Sequence, residues 1–280
     1  MTDIRVWVDG ARVDAAAPAL SAVDHGVTVG DGAFETAKFD GGVPFAVTRH
    51  LRRLDRTMSG LGLPPADHDL MREGISAVLE GEPIDFGRLR VTVTGGHGPL
   101  GSDRHDSALT HIVTAMRHGR PEPCGAVVTV PWARNERAAT AGLKTTSYAD
   151  NVVALAYAKE RGALEAVFGN TRGELCEATG SNVFVVVDGI VRTPPLSSGC
   201  LAGITRELVL EWCRADGVEV VEEPLPLAVL GQAEEVFLTS SIKDVFPVSD
   251  VDGRRFDAPG PMTAKVRDVW TAHAAGVADP

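Results

Sequence analysis

Lysine is scarce in this chain, with five among 280 residues against 22 arginines. The shortage draws attention to any lysine in a distinctive setting, because a lysine can shed its proton and act as a nucleophilic amine whereas arginine stays charged. Long apolar runs are also missing. None approaches the roughly 18 residues needed to cross a bilayer, so no membrane partner is expected. The opening "MTDIRVWVDGARVD" lacks a basic start followed by an apolar stretch, which predicts no signal peptide and a cytoplasmic location. The four cysteines, Cys124, Cys176, Cys200 and Cys213, are not closely paired, against a zinc or redox motif and in favour of buried thiols. No His-x-x-x-His spacing occurs among the eight histidines, so no metal site is expected. A surplus of positive charge is absent too: the formal net charge of −11 argues against nucleic acid, whose phosphates require clustered cations.

What is present suits a folded enzyme-sized chain. Hydrophobic residues make up 44% and charged residues 23%, enough for one large core or two moderate ones. Asp9-Gly10 in "IRVWVDGARVD" and Asp40-Gly41-Gly42 in "GAFETAKFDGGVPFAV" sit between alternating apolar residues, the signature of hairpin turns. Thr48 is the expected N-cap of a helix through "RHLRRLDRTMSGLGL" with Leu51, Leu54 and Met58 on one face. A second amphipathic helix in "ADHDLMREGISAVLEG" and a strand in "GRLRVTVTGG" follow. Two prolines in "RPEPC" mark a linker. The predicted organisation is a small N-terminal α+β domain over 1–118, a linker over 119–125, and a larger mixed α/β domain over 126–280. In the latter, "NVVALAYAKERG" and "TRELVLEWCRADG" read as helices, and "EAVFGN", "NVFVVVDGIVRT", "VEVVEE" and "AEEVFLTSS" as strands. The fold class is therefore α+β in two domains.

Six segments are weighed for chemistry. "GGHGPLG" contains Gly96-x-Gly98-x-x-Gly101 after a strand. Pro99 interrupts it, no helix pattern follows, and no acidic ribose partner lies about 20 residues on, so a glycine-rich bend is expected instead. Lys144, in "AGLKTTSYADN", stands just ahead of a helix and is either a turn-capping surface residue or a reactive amine. "SSGCLAGITRELVLEW" places a helix start at Ile204 and Thr205, where unpaired N–H groups and the helix dipole favour an anion. Thr239, Ser240 and Ser241 end a strand with three hydroxyls, either an ordinary turn or a second anion loop. Glu177 stands at the entrance to the apolar run "NVFVVV", as a solvated strand-end residue or a carboxylate with a defined partner such as a protonated ring nitrogen. Arg53 could add a cation, or share a solvated helix face with Arg49, Arg52 and Arg56. An imine-forming lysine, a carboxylate for a ring nitrogen and a two-loop anion site are together what pyridoxal 5'-phosphate requires.

The segments "GDGAFETAKF", "HLRRL", "GLKTTSY", "EAVFGNTRGELCEATGSNVFVV", "TPPL", "LAGITRELV" and "EEVFLTSS…FPVSDVDG" resemble, in order and spacing, the class IV (fold type IV) aminotransferase family. That family includes D-amino-acid and branched-chain aminotransferases and aminodeoxychorismate lyase. The resemblance runs from about residue 5 to residue 257. It implies pyridoxal 5'-phosphate as cofactor, Lys144 as Schiff-base lysine and acid/base, and Glu177 as partner of the pyridine nitrogen. Arg53, Ile204, Thr205, Ser240 and Ser241 fall on the family's phosphate-binding positions. Tyr148 is placed like a tyrosine that reaches the cofactor's phenolic oxygen, with one residue fewer between lysine and tyrosine than in the branched-chain members.

The implied reaction is ping-pong transfer of an amino group between an amino acid and a 2-keto acid, in a homodimer. Its substrate is less determined. Where D-amino-acid enzymes carry an arginine and a histidine, this chain has His97 but no arginine; where branched-chain enzymes carry Phe-Glu-Gly-x-Arg, it has "FETAK". "FETAK" also fits the lyase branch, so a pyruvate-releasing lyase acting on 4-amino-4-deoxychorismate is the alternative. Phe34, Lys38, Arg88, Arg90 and His97 are the candidate substrate residues. Arg88 and Arg90, alternating on a strand, either read a substrate carboxylate or form one solvated face.

Overall fold

The protein is described by a computed structural model covering residues 4–280, and its chain divides into two compact units. The first runs through Arg120 and also takes in Leu143–Tyr148 and Ala278–Pro280. Both of these later segments lie, in sequence, within the part assigned above to the C-terminal domain.

The first unit contains β1 (Ile4–Val8), β2 (Ala11–Val13), α1 (His25–Thr28), β3 (Gly32–Asp40), β4 (Val43–Pro44), α2 (Val47–Gly60), α3 (His68–Leu79), β5 (Phe86–Thr94) and β6 (Thr110–Arg117). Its six strands form one sheet in the order β2-β1-β6-β5-β3-β4. The Asp9-Gly10 turn joins β1 to β2, with both residues at positive φ (42° and 96°), as a tight hairpin demands. Alternation then sorts the sheet's two faces. Ala33, Ala37, Phe39, Leu89, Val91 and Val93 point to one side and pack on Leu51, Leu54 and Met58 of α2 and Met71, Ile75 and Val78 of α3. Each such fully buried leucine or phenylalanine stabilises the fold by about 1.5–3 kcal/mol. On the opposite face, β3 and β5 pair Phe34 with Thr92, Thr36 with Arg90 and Lys38 with Arg88.

Thr48 is not the N-cap of α2. Ala46 takes that place in a left-handed conformation, with φ of 58°. Its N–H donates to the Ala278 carbonyl at 2.7 Å, and the Thr48 N–H and hydroxyl both donate to Asp279. Asp279 thus caps this helix start from 231 residues away in sequence.

The second unit contains β7 (Gly125–Thr129), α4 (Ala149–Glu160), β8 (Glu165–Gly169), β9 (Leu175–Ala178), β10 (Asn182–Val187), β11 (Ile190–Thr193), α5 (Ile204–Ala215), β12 (Val220–Glu222), β13 (Glu235–Ser240), β14 (Asp244–Val251), β15 (Arg254–Arg255) and α6 (Pro261–Ala274). The strand order is β12-β11-β10-β13-β14-β7-β8-β9, with β15 on β14. Parallel pairs (β11/β12, β14/β7, β7/β8) mix with antiparallel ones, so the α+β, mixed-sheet expectation holds. Val183, Val185, Leu238, Phe246 and Val248 build one side of the core. On the other, Ala154 and Ala158 of α4 pack on Ala166 and Phe168 of β8.

Candidate active site

Lys144 lies in the first unit, in an extended segment that runs along β3. The Phe34 N–H donates to the Lys144 carbonyl at 3.0 Å, the Thr146 N–H to the Gly32 carbonyl at 2.8 Å, and the Lys144 N–H to the Thr57 hydroxyl at 3.2 Å. With its backbone pinned on both sides, the Lys144 ammonium sits 4.4 Å from the centre of the Phe34 ring and 5.8 Å from that of Tyr148. The two rings meet edge to face at 5.2 Å. Arg90 lies over the same Phe34 ring at 3.8 Å. Phe34, Tyr148, Lys144 and Arg90 are therefore one cluster, on the face of the sheet that α2 and α3 leave uncovered.

Lys38 and Arg88 lie on that face by register. Burial lowers the proton affinity of both Arg88 and Arg90 from the ordinary arginine value, and both remain cations. Arg88 meets His118 at 3.2 Å, and its Nε is buried without a hydrogen bond. At the end of β3 the same alternation places Asp40 on this face, where it pairs with Arg120 at 2.9 Å and feels the charge of Lys38. His97 is apart from this group: it is exposed, on the loop between β5 and β6, with its backbone bridged to Asp24. That loop carries no helix. At Gly96, with φ of 73°, a side chain would collide with the Ala108 carbonyl, so this glycine answers to chain packing.

Arg53 departs from the solvated-face alternative. It is 4% exposed, and its Nε and Nη2 donate to Oε1 and Oε2 of Glu35 at 2.8 and 2.7 Å. His50 Nδ1 meets Glu35 Oε2 at 2.6 Å. Burial by itself would raise the Glu35 carboxyl, but the charge and hydrogen bonds of Arg53, then those of His50, outweigh it and hold the group at about 2 against an ordinary 4.5. Burial pushes His50 down despite the opposing pull of Glu35. Glu35 and His50 were not among the candidate residues. The signal that could have found them is the alternation of β3: it puts Glu35 on the covered face beside Ala33 and Ala37, where an acid needs a cation.

In the second unit, Glu177 is on β9 itself, paired with Phe168 of β8. Its Oε2 accepts from the Leu201 N–H at 2.9 Å, and its Oε1 lies 3.5 Å from Arg134 Nε. Arg134 was also missed, since nothing in its local sequence sets it apart. The helix α5 begins at Ile204, behind Gly203, with no side chain capping its N-terminus, and Ile204 and Thr205 are buried. A Cβ on Gly203 would overlap Asn182 Oδ1. Asn182 Nδ2 donates to the Leu201 carbonyl at 2.8 Å, and Asn182 pairs across strands with Thr239. The glycine turn before α5 and the Thr239-Ser240-Ser241 turn are thus neighbours through one asparagine. The Thr239 hydroxyl is buried without a hydrogen-bond partner, whereas Ser240 Oγ accepts from the Lys243 N–H at 3.3 Å. Below them Glu165, buried, accepts from the Gly180 N–H at 2.7 Å, from the Ser181 hydroxyl at 2.6 Å and from Lys243. An uncapped helix start, an orphaned buried hydroxyl and a glycine that admits no side chain together fit a phosphate group. Among the described residues, no cluster of histidine, cysteine and acidic side chains could hold a metal ion.

The chain is similar to known proteins along most of its length. The sequence pattern of the amino-transferase class IV family matches residues 32–251. A protein of Methanocaldococcus jannaschii provisionally named a branched-chain-amino-acid aminotransferase is 30% identical, over 95% of this chain and 94% of its own. D-alanine aminotransferase of Bacillus licheniformis is 28% identical, over 94% and 95%. Among solved structures, a hypothetical aminotransferase from Mycobacterium tuberculosis in its PLP-bound form superposes with a TM-score of 0.85 at 26% identity, covering 97% of this chain and 99% of that one. The chain belongs to the class IV aminotransferase family, and it is a pyridoxal-5'-phosphate-dependent enzyme with the fold type IV architecture.

Proposed function

We propose that the protein is a transaminase moving an amino group between a D-amino acid or a branched-chain amino acid and a 2-keto acid, with (R)-amines as further donors. One observation carries the reading: Arg88 and Arg90 stand side by side on the face of the sheet that the helices leave uncovered, and Arg90 reaches Lys144 across the Phe34 ring. A substrate carboxylate is the natural counter-ion for such a face.

Bound pyridoxal 5'-phosphate supplies an aldehyde that takes up amines and a protonated ring that accepts electrons. Lys144 is the amine that would hold the aldehyde and would serve as the acid and base for the substrate's proton. Only a lysine can do both, since it must be neutral part of the time. Glu177 would hold the ring nitrogen. Ile204 and Thr205 would offer their N–H groups to the phosphate, Ser240 and Ser241 their hydroxyls, and Arg53 a cation whose orientation Glu35 holds. Tyr148 lies beside the lysine for the phenolic oxygen. Phe34 and Arg90 orient the substrate, and Lys38 and Arg88 attract its carboxylate. His97 is reserved for substrate entering from its exposed loop. We also propose that the enzyme works as a homodimer in the cytoplasm; no helix among the described residues is long and apolar enough to cross a membrane.

Single-turnover spectra of the holoenzyme with D- and L-alanine, D- and L-glutamate, leucine and an (R)-amine test this reading. The expected outcome is conversion of the bound cofactor to its amine form by at least one D-amino acid or branched-chain amino acid, reversed by a 2-keto acid. Release of pyruvate from aminodeoxychorismate with no keto acid needed, and no conversion by any amino acid, would replace it with the lyase reading that "FETAK" also allows.

A further inference from the structure

Arg134 follows β7 and is locked by its backbone, its N–H donating to the Gly169 carbonyl at 2.8 Å. Its guanidinium lies 4.3 Å over the Phe168 ring, and Phe168 is the cross-strand partner of Glu177. One arm, Nη1, donates to Asn151 Oδ1 at 3.2 Å. Asn151, buried at the start of α4, donates in turn to the Thr179 carbonyl at 2.6 Å, two residues beyond Glu177. The Nε edge stands 3.5 Å from Glu177 Oε1, yet Nε is buried and makes no hydrogen bond. The contact between Arg134 and Glu177 is thus one of charge, held at a set distance by the ring and the asparagine. Both side chains are less than one-fifth exposed, so solvent screens the attraction weakly.

Other titratable groups near this carboxylate are the thiols of Cys176 on its own strand and Cys200 ahead of α5. Burial first, and Glu177 second, push both up, Cys200 to about 11, so they stay neutral at working pH. A carboxylate and a pyridine nitrogen that share one proton can place it on either atom. A fixed cation beside the carboxylate favours the charge-separated arrangement, with the proton on nitrogen.

We propose that Arg134 is a positioning residue for the reaction: it keeps Glu177 ionised and aimed, so that the proton shared with the cofactor rests on the ring nitrogen. The inference rests on the assignment of Glu177 in the proposed function. A surface or purely structural arginine would hold the loop without affecting that proton.

Binding of pyridoxal 5'-phosphate to apoenzyme, measured against pH by absorbance and fluorescence titration, tests it in the wild type and in Arg134→Met, Arg134→Lys and Glu177→Gln. The same titration is run with the analogue in which carbon replaces the ring nitrogen. In Arg134→Met the acid limit of cofactor binding should move up by about one to three pH units. Arg134→Lys should restore most of that shift, and the wild type and Arg134→Met should bind the carbon analogue equally well. If Arg134→Met loses affinity equally for both cofactors, or if the lysine variant behaves like the methionine one, Arg134 is structural and the inference falls. If Glu177→Gln leaves binding and its pH dependence unchanged, the Glu177 assignment fails and takes the inference with it. An effect of Glu177→Gln without one of Arg134→Met overturns the inference alone.

Discussion

Arg53 grips both oxygens of Glu35, at 2.8 and 2.7 Å, with each residue less than 5% exposed. Removing one partner strands the other, and an uncompensated buried charge typically costs about 3–5 kcal/mol. Glu35→Gln should therefore lower the thermal midpoint markedly at pH 7, read by differential scanning calorimetry.

The same pair gives a pH dependence with a definite sign. Glu35 is held at about 2 in the folded chain, against about 4.3 when unfolded. The stability it contributes is complete above the unfolded value and is lost as pH falls from there towards 2. His50 is also pushed down by burial, so its contribution is complete above about 6.5 and fades as pH drops below that. Both act in one direction. Wild-type thermal midpoints should decline below about pH 6.5 and more steeply below about 4.3, while Glu35→Gln should be flatter in the lower window. Parallel profiles for the two proteins would contradict this account.

Lys144→Ala and Lys144→Arg should both lose the visible absorbance of lysine-bound cofactor. Each should lose at least about 10²-fold in turnover, the lower end for a positioned acid/base. The arginine variant is the sharper test, because it keeps the charge near Phe34 and Tyr148 but cannot become neutral. Wild-type turnover in either variant would remove Lys144 from the reaction.

Gly203→Ala places a methyl group against Asn182 Oδ1, at the uncapped start of α5. Overpacking of this kind costs about 1–3 kcal/mol. The displacement should also weaken cofactor retention, seen as a higher Kd on reconstitution of apoenzyme. A variant with wild-type affinity would show that the phosphate does not bind at this turn.

Arg90→Leu should raise KM for the carboxylate substrates by roughly 10- to 100-fold, the range of a charge-assisted hydrogen bond of about 1.5–3 kcal/mol, with a much smaller effect on an (R)-amine lacking a carboxylate. Its thermal midpoint should change little, since the stacking lost on Phe34 is worth only about 0.5–1 kcal/mol. Equal losses for amine and amino acid would mean that Arg90 shapes the pocket and reads no charge.

Much of this architecture was legible from local chemistry. Asp9-Gly10 marked its hairpin because a two-residue turn needs positive φ, and the start of α5 at Ile204 followed from glycine preceding a helical pattern. Segments whose burial depends on remote neighbours were harder to read. Arginines 49, 52, 53 and 56 look alike in "TRHLRRLDR", but only Arg53 is buried among them. Glu35 lies 18 residues back in sequence and selects it.

By itself the sequence determined the residue types that make the chemistry available, the turns and periodicities that build strands and helices, and membership of a family that uses pyridoxal 5'-phosphate. Those properties depend on side-chain identity and short-range backbone preference, which travel with the chain. Tertiary structure decided which charges are compensated. It joined Arg53 to Glu35, set Arg88 and Arg90 together on the uncovered face of the sheet, and brought Arg134 beside Glu177 from 43 positions away. The physical reason is that the energy of a charge depends on what surrounds it in space, and burial and long-range pairing are set only when the chain has closed on itself.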